Sequence, residues 1–171
     1  MQFRDATIDD IASVAALHTA SWRDAYRSIF DAAFLAGPVV QERLDVWTER
    51  LIQPDPAQRT ILAEEDGKLI GFVCVFARKD AQWGSLVDNL HVRPGERSKG
   101  LGRQLLRRGA QWARVTYPAG GLHLWVYEAN VAACRFYTRM GGQVVERTDK
   151  STYGGSAPIL RYHWPDGVIG E

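Results

Sequence analysis

The chain has 171 residues, of which 46% are hydrophobic and 24% are charged, and its formal net charge is +1. This length and balance suit one globular domain with a sizeable core and argue against an intrinsically disordered chain. A net charge so close to zero gives no general attraction to nucleic acid or to an anionic membrane, so any affinity for phosphate has to be local.

Signals for targeting and for metal binding are also missing from the sequence. The first residues contain no apolar signal-peptide core, and the longest apolar run, Leu69 to Ala77, is too short to span a bilayer. The two cysteines, Cys74 and Cys134, form no ligand cluster and the four histidines are scattered, so no metal site is expected. Free cysteines of this kind suit a reducing compartment, and we therefore expect a cytoplasmic protein.

The first third of the chain predicts one strand followed by helices. Residues 1–6 favour a strand, and residues 8–22 and 39–52 carry apolar side chains at helical spacing. Between these two segments aromatic side chains recur at every fourth position, which is also typical of a helix: Trp22, Tyr26 and Phe30.

The rest of the chain alternates between strand and helix patterns. The most distinct turn is Asp66-Gly67, which joins two predicted strands as a hairpin. Runs of strands interrupted by a few helices indicate an α+β fold with a mostly antiparallel sheet, and no linker divides residues 1–171, so a single domain is expected. Further strands are expected at residues 59–65, 68–78, 82–92, 122–127, 143–148 and 159–164, and further helices at residues 101–117 and 130–140.

A corner containing two glycines lies between predicted strand 82–92 and predicted helix 101–117. The first turn of a helix has unpaired N–H groups and the positive end of the helix dipole, so a phosphate group fits there. Gly100 and Gly102 have no Cβ, which lets a ligand oxygen approach the main chain closely. The sequence therefore predicts a phosphate-binding corner.

The spacing at this corner excludes two common phosphate-binding motifs. A dinucleotide-binding turn needs a third glycine where Leu105 stands, and a P-loop needs Lys and a hydroxyl residue after Gly100. The remaining pattern, [RQ]-x-x-G-x-[GA], resembles the acetyl-CoA pyrophosphate loop of the GCN5-related N-acetyltransferase (GNAT) superfamily. That resemblance implies a set of residues for binding the pyrophosphate: Arg97, Ser98, Lys99, Gly100, Leu101, Gly102 and Arg103.

The order of predicted elements is similar to the GNAT fold over nearly the whole chain. In that fold a mostly antiparallel mixed sheet is flanked by helices, and the parallel strands on either side of the cofactor helix splay apart, helped by a bulge in the earlier one. Acetyl-CoA enters the gap, and its pantetheine arm lies beside the earlier strand like an added strand. The resemblance implies that main-chain groups of Leu90 and Val92 pair with this arm.

A second segment, residues 130–141, resembles the family pattern N-x-x-A-x-x-[FL]-Y-x-x-x-G. The resemblance implies that Asn130 and Ala133 lie at the cofactor, although Asn130 is also a natural helix N-cap. It further implies that Tyr137 is the general acid. A phenol, with a pKa of ~10, can protonate the departing CoA thiolate, whose pKa is ~8.5, and such proton donation contributes ~10²–10⁴ in rate.

The group that takes the proton from the amine is less clearly marked. Some members of the family carry a glutamate on the strand before the loop, but that position holds Leu86 here. Asp88 lies two residues later and points to the same face by strand alternation, so it could act through a water molecule. His91 is the other nearby titratable residue, and both stay open.

The resemblance implies an enzyme that transfers the acetyl group of acetyl-CoA to a primary amine by direct attack in a ternary complex, without a metal. The alternatives are a non-catalytic acyl-CoA-binding sensor on the same fold and a nucleotide-phosphate binder. The acceptor, which the family contacts through segments corresponding to 21–39 and 150–158, could be a small amine or a protein N-terminus. Trp22 and Tyr26 could form part of its wall or belong to the core. A homodimer is possible.

Overall fold

The structure is a computed structural model that describes residues 1–97, 100–118 and 120–170. It contains seven strands and five α-helices within those residues, and a short 3-10 turn, Ile8–Asp10, precedes the first helix. The strands are β1 (Gln2–Asp5), β2 (Gln58–Glu65), β3 (Lys68–Asp80), β4 (Gly84–Val92), β5 (Leu122–Tyr127), β6 (Gln143–Thr152) and β7 (Gly155–Trp164). The helices are α1 (Ile11–Ala25), α2 (Ala32–Ala36), α3 (Val39–Ile52), α4 (Leu101–Thr116) and α5 (Val131–Arg139).

All seven strands belong to one mixed sheet with the order β1-β2-β3-β4-β5-β7-β6. Every neighbouring pair is antiparallel except β4 and β5, which run parallel and are connected through α4. The α+β fold with a mostly antiparallel sheet and one parallel pair is therefore confirmed.

Helices cover both faces of the sheet, so there are two apolar clusters. On one face α1 and α3 pack over β2 and β3, and this cluster includes the fully buried Trp47 and Phe72. On the other face α4 and α5 cover the centre of the sheet, and Leu105 and Leu106 of α4 are fully buried there. Burying one such side chain contributes about 1.5–3 kcal/mol, so these helices are fixed mainly by their apolar stripes.

Two glycines let α4 lie close to the sheet. A Cβ on Gly109 would come within 2.8 Å of the Cγ2 atom of Val75 on β3. A Cβ on Gly71 would lie 3.0 Å from both the carbonyl oxygen of His91 and the Cδ1 atom of Leu105. The small residues therefore sit where the helix crosses β3, and they determine how closely α4 approaches the strands that border the site.

Two segments differ from the sequence-based expectation. The helical spacing predicted through residues 21–34 breaks when α1 ends at Ala25, and a separate short helix starts after Asp31, whose carboxylate accepts hydrogen bonds from the N–H groups of its first turn. The predicted loop between residues 148 and 159 is instead a continuation of the β6–β7 hairpin, with a two-residue turn at Tyr153-Gly154. Contacts distant in sequence explain both differences, because the N–H of Asp31 donates to the carbonyl oxygen of Tyr153 at 2.7 Å.

Candidate active site

An opening in the sheet lies between β4 and β5. These strands pair only at Ser85 with Leu122 and at Leu86 with His123. Their closed end is fixed by main-chain contact, since a Cβ on Gly84 would lie 2.2 Å from the carbonyl oxygen of Gly121. Beyond Leu86, the edge of β4 that faces β5 has no strand partner in the part of the chain that the structure describes. The expected splaying of the two parallel strands is therefore present.

The edge of β4 that lines this opening begins with a β-bulge. On the β3 side, Cys74 pairs with Asn89 and Val75 pairs with Val87, so Asp88 is the extra residue. Past the bulge, Leu90 and Val92 have partly buried side chains that pack against the α4 and α5 cluster. Their main chain therefore borders the gap, which is where the sequence predicted pairing with a pantetheine arm.

The predicted phosphate corner leads directly into α4. Gly100 adopts the left-handed conformation, with φ +78°, and the helix starts at the next residue. No side chain caps this end of α4 in the described residues, so its first N–H groups remain available to a ligand. A Cβ on Gly102 would lie 3.5 Å from Phe136 and 3.8 Å from Val92, which are ordinary contact distances. Arg103 is exposed on the first turn of α4, whereas Ser98 and Lys99, predicted to bind phosphate, lie outside the described residues.

Arg97 lies next to this corner and forms an ion pair with Asp24, near the end of α1. Both side chains are about two-fifths exposed, at 45% and 38%. An exposed ion pair of this kind contributes only about 0–1 kcal/mol, so a pyrophosphate group can compete for the guanidinium. The residues fit a coenzyme A pyrophosphate: a left-handed glycine, an uncapped helix N-terminus and a cation that is only weakly held.

Tyr137 lies in α5, the helix that follows β5 in the chain. Its side chain is only 9% exposed, and its ring contacts those of Phe136, Tyr162 and Trp164. Burial raises the pKa of the Tyr137 phenol, and the nearby Tyr26 and Cys134 side chains raise it further. The phenol therefore stays protonated at neutral pH, as a hydrogen-bond donor must.

Asn130 and Ala133 meet at the start of α5. The side-chain oxygen of Asn130 accepts a hydrogen bond from the N–H of Ala133 at 3.2 Å, so Asn130 is the N-cap of this helix. Its amide nitrogen takes no part in the cap. The capping role that the sequence suggested is therefore present, and it places both residues at the end of the opening next to β5.

The Asp88 carboxylate does not stand alone beside the opening. Its Oδ2 atom lies 2.7 Å from Nη2 of Arg50, a residue of α3. Nη1 of the same guanidinium donates to Oδ1 of Asn89 at 2.6 Å. The proposed proton acceptor is therefore part of an ion pair that also includes the next residue of β4.

A pair of histidines joins β4 to α1. The rings of His91, on β4, and the fully buried His18, on α1, have centroids 4.4 Å apart. The indole N–H of Trp47 donates to Nδ1 of His18 at 3.0 Å, which assigns the ring proton of neutral His18 to Nε2. That atom is buried and has no hydrogen-bond partner among the described residues. Burial, followed by the charges of Arg43 and Arg97, lowers the pKa of His91 to about 3, so its ring is neutral at physiological pH.

An aromatic cluster extends the α1 side of the site. The ring of Tyr26 lies 5.3 Å from that of Tyr127, the last residue of β5, and burial raises the pKa of Tyr26 to about 12. From the sequence, Trp22 and Tyr26 could belong either to the acceptor wall or to the core. In the structure both side chains are only partly buried. The cluster joins α1, the segment up to α2, the end of β5 and the β6–β7 turn through six rings: Trp22, Tyr26, Phe30, Phe34, Tyr127 and Tyr153.

Two arginines of α3 take part in this region although the sequence analysis had not selected them. Arg43 is buried, lies 4.1 Å from the centroid of the Trp22 ring and is paired with Glu42. Arg50 binds β4. Arg43, Trp47 and Arg50 stand at positions i, i+4 and i+7, so they share one helix face, and this spacing is the signal that could have identified the arginines.

Comparisons with known proteins agree with this geometry. The profile of the acetyltransferase (GNAT) family matches residues 19–142, which include β4, the glycine corner, α4 and α5. The chain belongs to the GNAT family.

Individual GNAT relatives differ in how much of the chain they match. The uncharacterized N-acetyltransferase YuaI of Bacillus subtilis is 24% identical and covers 95% of this chain and 92% of its own. Streptothricin acetyltransferase of Streptomyces lavendulae is 36% identical over 108 residues, which are 60% of this chain and 53% of that protein. The solved structure of PaiA N-acetyltransferase from Thermoplasma acidophilum in complex with coenzyme A has a TM-score of 0.77 at 21% identity, covering 95% and 98% of the two chains.

None of the described helices is both long and apolar enough to cross a membrane. In residues 1–97, 100–118 and 120–170, no group of three His, Cys, Asp or Glu side chains is arranged to hold a metal ion.

Proposed function

We propose that this protein transfers the acetyl group of acetyl-CoA to a primary amine by direct attack in a ternary complex, with Tyr137 as the general acid. The observation that carries the proposal is the opening between β4 and β5, with the uncapped start of α4 after β4 and a buried phenol on α5, the helix after β5. The acetyltransferase relatives support acetyl transfer as the reaction class.

Each part of the opening has a role in this proposal. Acetyl-CoA supplies an activated thioester, so forming the new N–C bond breaks the C–S bond and releases a thiolate. The amide groups at the start of α4, together with Arg97, bind the pyrophosphate, while the main chain of Leu90 and Val92 holds the pantetheine arm as an added strand. This arrangement lowers the entropy cost of bringing the thioester to the amine.

The Tyr137 phenol donates its hydrogen to the sulfur as negative charge develops there. The raised pKa of this phenol keeps it protonated. The hydrogen bond strengthens as the C–S bond breaks, because negative charge then develops on the sulfur that accepts it. Removal of this donor lowers the rate of the chemical step and leaves the main-chain contacts with the cofactor in place.

For the proton of the attacking amine we propose Asp88, acting through a water molecule, with His91 as the alternative. The Asp88 carboxylate lies 2.7 Å from Nη2 of Arg50. His91 is neutral and lies on the α1 face of β4, next to the residue that borders the gap. Either group can accept a hydrogen bond from an amine that approaches between α1 and the end of β5.

The acceptor is proposed only as a primary amine on a small molecule or at a protein N-terminus. Streptothricin belongs in any acceptor panel, because one relative is a streptothricin acetyltransferase. The match covers about half of that protein. A thiol-release assay with acetyl-CoA across such a panel tests the reaction itself. If coenzyme A binds and no amine is acetylated, a non-catalytic acyl-CoA sensor is the better description.

The decisive variant is Tyr137→Phe, which removes only the hydroxyl. We expect kcat to fall by about 10²–10⁴ while the dissociation constant for coenzyme A, measured by calorimetry, stays within about twofold. Tyr117→Phe is the matched control, because Tyr117 follows the far end of α4 and contacts Arg78 instead. An unchanged kcat in the Tyr137→Phe protein would remove Tyr137 from the acid role.

A further inference from the structure

Two changes in strand pairing occur within two residues of β4. Its parallel pairing with β5 ends at Leu86, and its pairing with β3 is interrupted by the extra residue Asp88. A bulge bends the strand that contains it and increases the local twist. The direction in which β4 leaves β5 is therefore set at Asp88.

One guanidinium contacts both residues at this bulge. The Arg50 side chain reaches Asp88 Oδ2 at 2.7 Å through Nη2 and Asn89 Oδ1 at 2.6 Å through Nη1. In a regular strand consecutive side chains point to opposite faces, so a group on α3 could reach only one of them. The double contact is possible because the bulge turns both side chains toward α3, and it therefore favours the bulged form over a regular strand.

Arg50 is itself held in place before it makes these contacts. Its guanidinium lies 5.4 Å from the ring centroids of both Trp47 and Phe76. Its side chain is only 22% exposed, and the helix that carries it is fixed by the fully buried Trp47. Little side-chain entropy is left to lose, so this ion pair differs from a pair of mobile surface charges.

Loss of the bulge would change the part of β4 that borders the opening. A shift of one residue in pairing moves each later side chain to the other face of the sheet. Leu90 and Val92, which now pack toward α4 and α5, would then point toward α1 and α3, and the main-chain groups that face the gap would change with them.

We propose that Arg50 is a positioning residue that clamps the β4 bulge through Asp88 and Asn89 and so fixes the strand edge on which acetyl-CoA is bound. The proposal rests on the proposed function for its effect on the cofactor, and the clamp itself is a property of the chain without ligand. It assigns the Asp88 carboxylate a structural role that is separable from proton transfer.

The test uses two variants. Arg50→Met keeps the apolar part of the side chain and removes the guanidinium group. Arg50→Lys keeps the positive charge, but a single ammonium group cannot reproduce the two contacts that the planar guanidinium makes with Asp88 and Asn89. We expect the dissociation constant for coenzyme A to rise by about 10- to 100-fold in Arg50→Met, as for lost charge-assisted hydrogen bonds, and by less in Arg50→Lys. Arg59→Met is the control, because it removes an arginine whose ion pair, with Asp5 of the edge strand β1, is more exposed and does not touch β4.

Backbone hydrogen exchange of residues 88–92 in the ligand-free protein gives a readout that needs neither cofactor nor turnover. We expect faster exchange there in Arg50→Met and no change in Arg59→Met. Unchanged exchange together with coenzyme A binding within twofold of the wild type would overturn the proposal. If the wild type transfers no acetyl group while Arg50→Met still exchanges faster, the proposed function fails and the clamp stands.

Asp88 variants separate the clamp from a role in proton transfer. Asp88→Asn keeps an oxygen that can accept from Arg50, so the clamp predicts weaker coenzyme A binding in Asp88→Ala than in Asp88→Asn. If Asp88 acts as the base, Asp88→Asn should lower kcat and change its pH profile, while the affinity for coenzyme A should stay the same. Equal binding by the wild type and Asp88→Ala would contradict the clamp.

Discussion

The guanidinium of Arg97 is bound to the Asp24 carboxylate at the end of α1, although the resemblance assigns it to a pyrophosphate group. Both groups are exposed to a similar degree, so the ion pair is weak and salt-sensitive. Asp24 therefore acts as an internal competitor for the cation that the cofactor would use, and it connects α1 with the glycine corner before α4.

Removal of that competitor is expected to strengthen cofactor binding. In Asp24→Asn, coenzyme A should bind up to about fivefold more tightly at low ionic strength, because an exposed ion pair contributes about 0–1 kcal/mol. Titration calorimetry at low and at high salt measures the effect, which should shrink as salt rises. Asp45→Asn, an equal charge change on the exposed face of α3, is the control. Weaker binding in Asp24→Asn would mean that Asp24 positions Arg97 instead.

The sequence selected candidate site residues that share a local pattern and left out residues that become neighbours only on folding. Asn130 and Tyr137 were selected because one helical segment holds them at fixed spacing. Arg50 was not selected, because its partners Asp88 and Asn89 lie about 40 residues later and become its neighbours only through a bulge. A bulge changes side-chain direction without leaving a distinctive residue type, so no local pattern predicts it.

At the scale of elements, β4 and β5 are joined at one end and open at the other. The closed end depends on main-chain contact between Gly84 and Gly121, and the N–H of Ser85 donates to the carbonyl oxygen of Gly121 at 2.9 Å. Gly84 also has a φ of +79°, which side chains disfavour. Both the close approach and the backbone conformation therefore require glycine at this position.

We expect Gly84→Ala to lower the free energy of unfolding by about 3 kcal/mol, since the added Cβ meets main-chain atoms that have little room to move. Urea denaturation measures this loss. Gly37→Ala provides the matched control, because Gly37 has a φ of −132° and no atom within 4 Å of an added Cβ, so its effect should stay within about 0.5 kcal/mol. Equal stability of the two variants would show that β4 and β5 can separate at this end without cost.

Elements with strong local signals were predicted close to their observed bounds, and α4 and the hairpin at Asp66-Gly67 are the best examples. Two segments were not predicted correctly: residues 26–31 were expected to be helical, and residues 149–158, expected to form a loop, instead extend the β6–β7 hairpin. There the N–H of Asp31 donates to Tyr153 and the ring of Phe34 stacks on that of Tyr153 at 3.6 Å. These contacts between distant segments outweigh the helical spacing of the aromatic residues and the weak strand propensity of the Gly/Ser-rich hairpin.

At the scale of the whole molecule, all four histidines have lowered pKa values, mainly because of burial. Such groups bind fewer protons in the folded chain than in the unfolded chain below the ordinary histidine pKa of about 6.5. The contribution of the neutral histidines to the free energy of unfolding is therefore complete above pH 6.5, and it is lost as the pH falls toward their lowered pKa values. The Asp10 carboxyl, whose pKa is lowered to about 2, changes the stability only at lower pH, below the range in which the histidines act.

The free energy of unfolding should therefore decrease as pH falls from 6.5 to about 5, by at most about 1.4 kcal/mol per pH unit for each histidine. Urea denaturation across this range gives the slope, and His91→Gln should make the slope shallower because it removes a histidine whose pKa is lowered to about 3. His163→Gln, at a partly exposed position, should change the slope less. A pH-independent stability in the wild type would contradict the neutral histidine pair.

The docking of the β6–β7 turn on α2 and α3 has an evolutionary consequence. The Tyr153 hydroxyl donates to Glu42 at 3.0 Å across 111 positions of sequence, so this contact joins segments that lie far apart in the gene. Replacing Glu42 removes the partner of the Tyr153 hydroxyl, whereas replacing Tyr153 leaves Glu42 paired with Arg43. Under the proposed function, a change of amine acceptor should therefore involve both segments, and a laboratory library that randomises only one of them should yield fewer clones with a new acceptor than a library that randomises both.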